Sequence, residues 1–132
     1  MHKTRLNKVA YILVNLPQER KKMVGGPKGV PQMFDMGQWY KCGTKACAIG
    51  YAAMHPWFRQ RGLELSHDNK DTLQAPICEG NIGISAVTTF FDITYDEAEH
   101  LFDSDSHKRE NRADVAQRIR AFVRNGGRKA AA

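Results

Sequence analysis

A chain of 132 residues, 42% hydrophobic and 26% charged, has the composition of one globular domain with a single core, well away from the regime of disordered chains. Its longest apolar stretches are broken by Lys, Gly or His too soon to span a bilayer, and the N-terminus lacks the apolar block and cleavage site of a secretory signal, so the expected compartment is the cytoplasm. Cys42, Cys47 and Cys78 are an odd number in a chain that has enough apolar residues for a core, which argues against a secreted disulfide scaffold and for reduced thiols.

Leu6, Val9, Ala10, Leu13 and Leu16 recur at helical spacing and predict a helix over about residues 4–15, stopped by Pro17. Arg20-Lys21-Lys22 and the run Gly25 to Pro31 punctuate the chain without periodic burial, and predict a basic, mobile loop over about residues 18–33. Asp35 and Gln38 mark a short turn. Thr44 then opens the apolar run Ala46 to Met54, read as a helix buried nearly all round and hence central. Pro56 suits the first position of a short helix bearing Trp57 and Phe58 and closing at Gly62.

Leu63-Glu64-Leu65, the turn residues Asp68 to Asp71, and Thr72 to Ile77 predict a small hairpin. Ile84, Val87, Phe90 and Phe91 share a helical face, and after a tight Asp92-Ile93 corner Thr94 and Glu97 form a capping box for a helix bearing Ala98, Leu101 and Phe102. Asn111 and Asp114 start a last helix with Val115, Ile119, Phe122 and Val123 inward, ended by Gly126-Gly127, with a frayed basic tail expected over residues 126–132. The expected fold class is mostly α: a compact bundle of about six short helices with one small β-hairpin, in one domain over residues 1–132.

The net charge of +6 is unevenly spread. Residues 1–34 carry +6, residues 35–91 are neutral, residues 92–107 carry −6, and residues 108–132 carry +6. Basic ends of this kind steer encounter with a phosphate backbone or an acidic protein surface, although such runs also occur as solvated faces. The candidate binding residues are Arg20, Lys21, Lys22, Lys28, Arg112, Arg120 and Arg124, with the last three expected to project from the outer side of the final helix.

Cys47 is the candidate nucleophile, because in the first turn of a helix capped by Thr44 it would gain free amides and the nearby Lys45 charge. No histidine stands at a spacing that implies contact, so Cys47 as a small hydrophobe is the competing reading. Cys42, Cys47 and Cys78 with His55 or His67 could make a zinc set, but the second close-spaced pair is missing. Asp103 to Asp114 mimics a calcium loop and fails it, since Lys108 stands where the turn needs glycine. No cofactor is expected, nor is membrane association.

The segment Phe34-Asp35-Met36-Gly37-Gln38-Trp39, followed by Cys42-Gly43-Thr44-Lys45-Ala46-Cys47-Ala48-Ile49-Gly50-Tyr51-Ala52, resembles a family of small uncharacterised proteins of bacteriophages and bacteria. Phe90-Phe91-Asp92-Ile93, Glu97 to Phe102 and Val115 to Phe122 resemble it too, so that the likeness covers most of residues 34–124. It implies a phage or mobile-element setting, contributes no catalytic residue, and leaves the basic loop before Phe34 particular to this chain. The resulting expectation is a non-enzymatic interaction protein binding a host protein or nucleoprotein complex through basic surfaces. The alternatives are a cysteine-dependent enzyme using Cys47 or a non-specific nucleic-acid binder.

Overall fold

The stripe Leu6, Val9, Ala10, Leu13 folds as α1, Lys3–Val14, and is buried to the last of these residues. The structure, a computed structural model, describes residues 1–24, 29–37, 39–41, 45–67, 73–102 and 110–127. Pro17 stops α1 only to enter a second short helix, because its missing N–H costs nothing in a first turn. α2 is Leu16–Glu19, and a 3₁₀ turn follows over Arg20–Lys22. The loop expected over residues 18–33 is therefore helical as far as Lys22. Its described far end is tied down as well: Val24 N–H donates to the Met54 carbonyl, and Tyr40 Oη to the Gly29 carbonyl.

Three two-residue strands come next: β1 (Met33–Phe34), β2 (Tyr40–Lys41) and β3 (Lys45–Ala46). β3 is central, parallel to β1 and antiparallel to β2. This sheet is an addition to the expected single turn, since strands of two residues are too short to show alternation. α3, Ala48–Met54, is buried at all seven positions and is the central helix. α4, Pro56–Arg59, starts on Pro56 as expected.

The hairpin of β4 (Glu64–His67) and β5 (Leu73–Cys78) is present, while its turn at Asp68 to Asp71 lies outside the described residues. A third strand, β6 (Asn81–Ile82), extends it to an antiparallel β4-β5-β6 sheet. The connection is Glu79-Gly80, both at positive φ, as a two-residue turn matched to strand twist requires. α5 (Ile84–Phe91) ends on Asp92 in the left-handed region, making the expected corner. The Thr94–Glu97 box is closed in both directions, at 2.9 and 3.1 Å, ahead of α6 (Tyr95–Phe102).

Asn111 caps α7, Arg112–Arg124, by accepting from the Asp114 amide. Gly126 and Gly127 donate to the Val123 and Phe122 carbonyls in a Schellman arrangement. They finish the helix rather than fray from it, and the tail 128–132 lies outside the described residues. The fold is mostly α, with a small β part. α7 lies antiparallel along α1: Arg112 reaches the Leu13 and Val14 carbonyls at one end, and Gly127 stands beside the Met1 side chain at the other. The two basic ends of the sequence are thus neighbours in space.

Candidate functional site

Cys47 does not sit in the first turn of a helix capped by Thr44. It is itself the cap of α3, its Sγ accepting from the Gly50 amide at 3.4 Å. Burial dominates its chemistry, pushing the thiol up to about 11, against the lowering by the backbone amides. Lys45, expected to help the thiolate, instead pairs with Asp35 at 3.4 Å, and the Asp35 charge raises the Cys47 thiol further. A thiol so enclosed is a poor nucleophile and packs as a small hydrophobe. Cys78, on β5, is also a buried free thiol, and Cys42 lies outside the described residues. Among the described residues no three His, Cys, Asp or Glu side chains gather as metal ligands.

Histidine and carboxylate do meet at one point. Glu19 and His55 are 2% and 5% exposed, with His55 Nε2 at 3.3 Å from Glu19 Oε2. His55 Nδ1 accepts from the Trp57 amide as the cap of α4, so the ring is neutral and carries its proton on Nε2. Desolvation holds its pKa below the usual histidine range despite Glu19. Burial opposes the charge of Glu19, yet Lys22, at 3.0 Å, and His55 outweigh it and keep the carboxyl below its ordinary value. With both ring nitrogens committed and no solvent access, this pair joins α2 to α4 and offers no base to a substrate.

The basic candidates separate into two groups. Arg20 points inward, donating to the Gln32 carbonyl at 2.8 Å and reaching the Tyr51 hydroxyl at 3.4 Å. Arg112 does not project from the outer side of α7; it closes the C-terminus of α1 through the Leu13 and Val14 carbonyls at 2.6 and 2.9 Å. Lys21, Lys22, Arg120 and Arg124 are exposed, although Lys22 serves Glu19; Lys28 lies outside the described residues. The exposed members do not form one site. Lys21 and Lys22 follow the C-terminal end of α1, while Arg124 is on the turn of α7 beside its N-terminal end.

A cationic and aromatic cluster between α1 and α4 was absent from the sequence-derived candidates. The Lys8 ammonium lies 5.0 Å from the Tyr11 ring centre and 5.8 Å from that of Trp57, and the Arg61 guanidinium covers Trp57 at 3.7 Å. Its sequence signals are two separate local pairs, Lys8 with Tyr11 on α1 and Trp57 on α4 with Arg61 just after it, which only the fold brings together.

No family model, curated protein or solved structure matches the chain. An open groove of about 430 Å³ between α6 and α7 is lined by His100, Glu110, Asp114, Gln117, Arg118 and Phe122. Its arginine is occupied structurally, bonded to Glu110 and to the Leu101 carbonyl. The α1–α4 face differs in that its cations stay uncompensated: neither Lys8 nor Arg61 has a carboxylate partner among the described residues. Such a face can hold an anion.

Proposed function

We propose that this is a non-enzymatic interaction protein that binds and modulates an acidic partner, a host protein or nucleoprotein complex, through basic surfaces. The bacteriophage or mobile-element setting implied by its motif resemblance belongs to the same reading. The carrying observation is the contrast between the sealed Cys47 and the surface cations: Lys21, Arg120 and Arg124 exposed, and the half-buried Lys8 and exposed Arg61 without a carboxylate partner among the described residues. Uncompensated positive charge on a rigid helical frame accelerates encounter with an acidic surface and selects against basic ones.

The test is capture of partners from the host by the tagged wild type and by two variants, one carrying Lys21→Glu, Arg120→Glu and Arg124→Glu, the other Cys47→Ser. Lys22 is left intact because it neutralises Glu19. The triple variant should lose the partner and the Cys47 variant should keep it. Loss through Cys47→Ser alone, in a protein that still unfolds at the wild-type midpoint, would overturn the reading in favour of a thiol enzyme.

A further inference from the structure

The α1–α4 face has a composition that general stickiness towards acids does not explain. Arg59 is engaged by Glu64 at 3.6 Å and Lys22 by Glu19 at 3.0 Å, so these two acids are already matched. Neither Lys8 nor Arg61 has a carboxylate partner among the described residues, Arg61 donating to the Trp57 carbonyl at 2.7 Å, and both stand against aromatic rings. Tyr11 keeps 47% of its surface in water, a large aromatic area left uncovered. Thr4, one turn before Lys8, and Asn15, one turn after Tyr11, continue this side of α1 without adding an acid. At the opposite end of α1 the surroundings are less favourable to a polyanion: Asp92 pairs with the Met1 amine, and the Glu97 carboxylate stands beside Gly127.

Cations beside one exposed ring, Tyr11, match a ligand that offers both repeated negative charge and flat π-faces. Single strands do so, stacking unpaired bases on aromatic side chains while the backbone runs along positive charge. A duplex keeps its bases stacked inside and would leave Tyr11 unused. An acidic peptide would engage Lys8 and Arg61 but not the ring.

We infer that the face formed by Lys8, Tyr11, Trp57 and Arg61 is a docking surface for single-stranded nucleic acid. This deepens the proposed function and rests on it, by naming the ligand chemistry of one basic surface. The phosphates lie along Lys8 and Arg61, and a base stacks on the open side of Tyr11.

The experiment is a fluorescence-anisotropy titration at about 50 mM salt, where non-specific contacts are strong, using a labelled random-sequence single strand and its duplex. The single strand should bind more tightly than the duplex. Tyr11→Ala should weaken it by roughly tenfold, within the range for losing one stacked base, while Tyr11→Phe binds as wild type. Lys8→Gln and Arg61→Gln should each reduce the salt slope by roughly 0.7. Equal binding of strand and duplex, or no effect of Tyr11→Ala, overturns the inference. If the single strand fails to bind but partner capture still depends on Lys21, Arg120 and Arg124, this surface is refuted and the proposed function stands. Loss of both refutes both. Tyr11 is exposed, so its variants should unfold at the wild-type midpoint and a folding defect will not obscure the result.

Discussion

The Tyr51 hydroxyl lies 2.6 Å from the Met33 carbonyl oxygen, 18 residues earlier in the chain, and 3.2 Å from that of Pro31. Its ring is fully buried in α3 and stacks with Phe34, so one side chain of the central helix holds the whole approach to β1. Tyr51→Phe leaves two carbonyls and the Arg20 guanidinium short of a partner. It should cost about 1–3 kcal/mol in urea unfolding, and an unchanged midpoint would show that the segment is held by something else.

Gly50 is needed for a different reason. A Cβ there would overlap the Trp39 carbonyl oxygen, because α3 presses directly on the backbone between the turn and β2. Gly50→Ala gains helix propensity but must displace that backbone, for a net loss of about 1–3 kcal/mol. The near-ultraviolet circular dichroism of Trp39 should change with it. A stabilised protein with an unaltered spectrum would contradict the close approach.

The arginines of α7 should divide sharply under substitution. Arg112→Ala deprives the end of α1 of a charged donor to two carbonyls and should cost about 1–2 kcal/mol, reduced for its partial exposure. Arg120→Ala and Arg124→Ala remove solvated side chains and should stay within about 0.5 kcal/mol. Parallel thermal melts of the three variants decide this, and equal losses would mean that Arg112 does not cap α1.

Acid should weaken the fold before it reaches the ordinary carboxylate range. His55 has a folded pKa below its unfolded value, so the unfolded chain takes up the proton first and stability falls as pH drops through about 6.5. Glu19, also held below its unfolded value, adds a second loss below about 4.5. His55→Asn keeps an acceptor at the cap of α4 and removes the titration. Its melting temperature should vary less between pH 7.5 and 5 than that of the wild type. An identical slope would locate the acid sensitivity elsewhere.

Cys47, with its thiol near 11, should be on the order of one part in a thousand thiolate at pH 8. Labelling by a disulfide reagent, with sites assigned by peptide mass spectrometry, should leave Cys47 unmodified in the native protein and label it fully in denaturant. A burst of labelling at native Cys47 would restore the nucleophile reading.

Much of the helical frame was legible because its signals are local. The stripe of α1, Pro56 before α4, the Thr94–Glu97 box, the Asn111 cap and Gly126-Gly127 each act within a few residues, and each does in the structure what its spacing implies. The β1-β3-β2 sheet was not legible, since pairing Met33 with Lys45 is decided by contacts across the chain.

The sequence by itself determined the mostly helical class, the central burial of α3 and the presence of basic ends, all of which follow from periodicity, caps and composition. Only the tertiary structure decided what the individual charges are for. Arg112 and Arg120 are indistinguishable as letters eight positions apart on one helix, yet one meets the end of α1 and the other meets water. Cys47 reads from its neighbours both as an activated thiol and as a small hydrophobe, and its burial decides for the second. Lys8 and Tyr11 read as helix surface until α4 brings Trp57, with Arg61 over its ring, beside Lys8. Charge and reactivity depend on the surrounding dielectric and on partners distant in sequence, and those are set when helices pack rather than when they form.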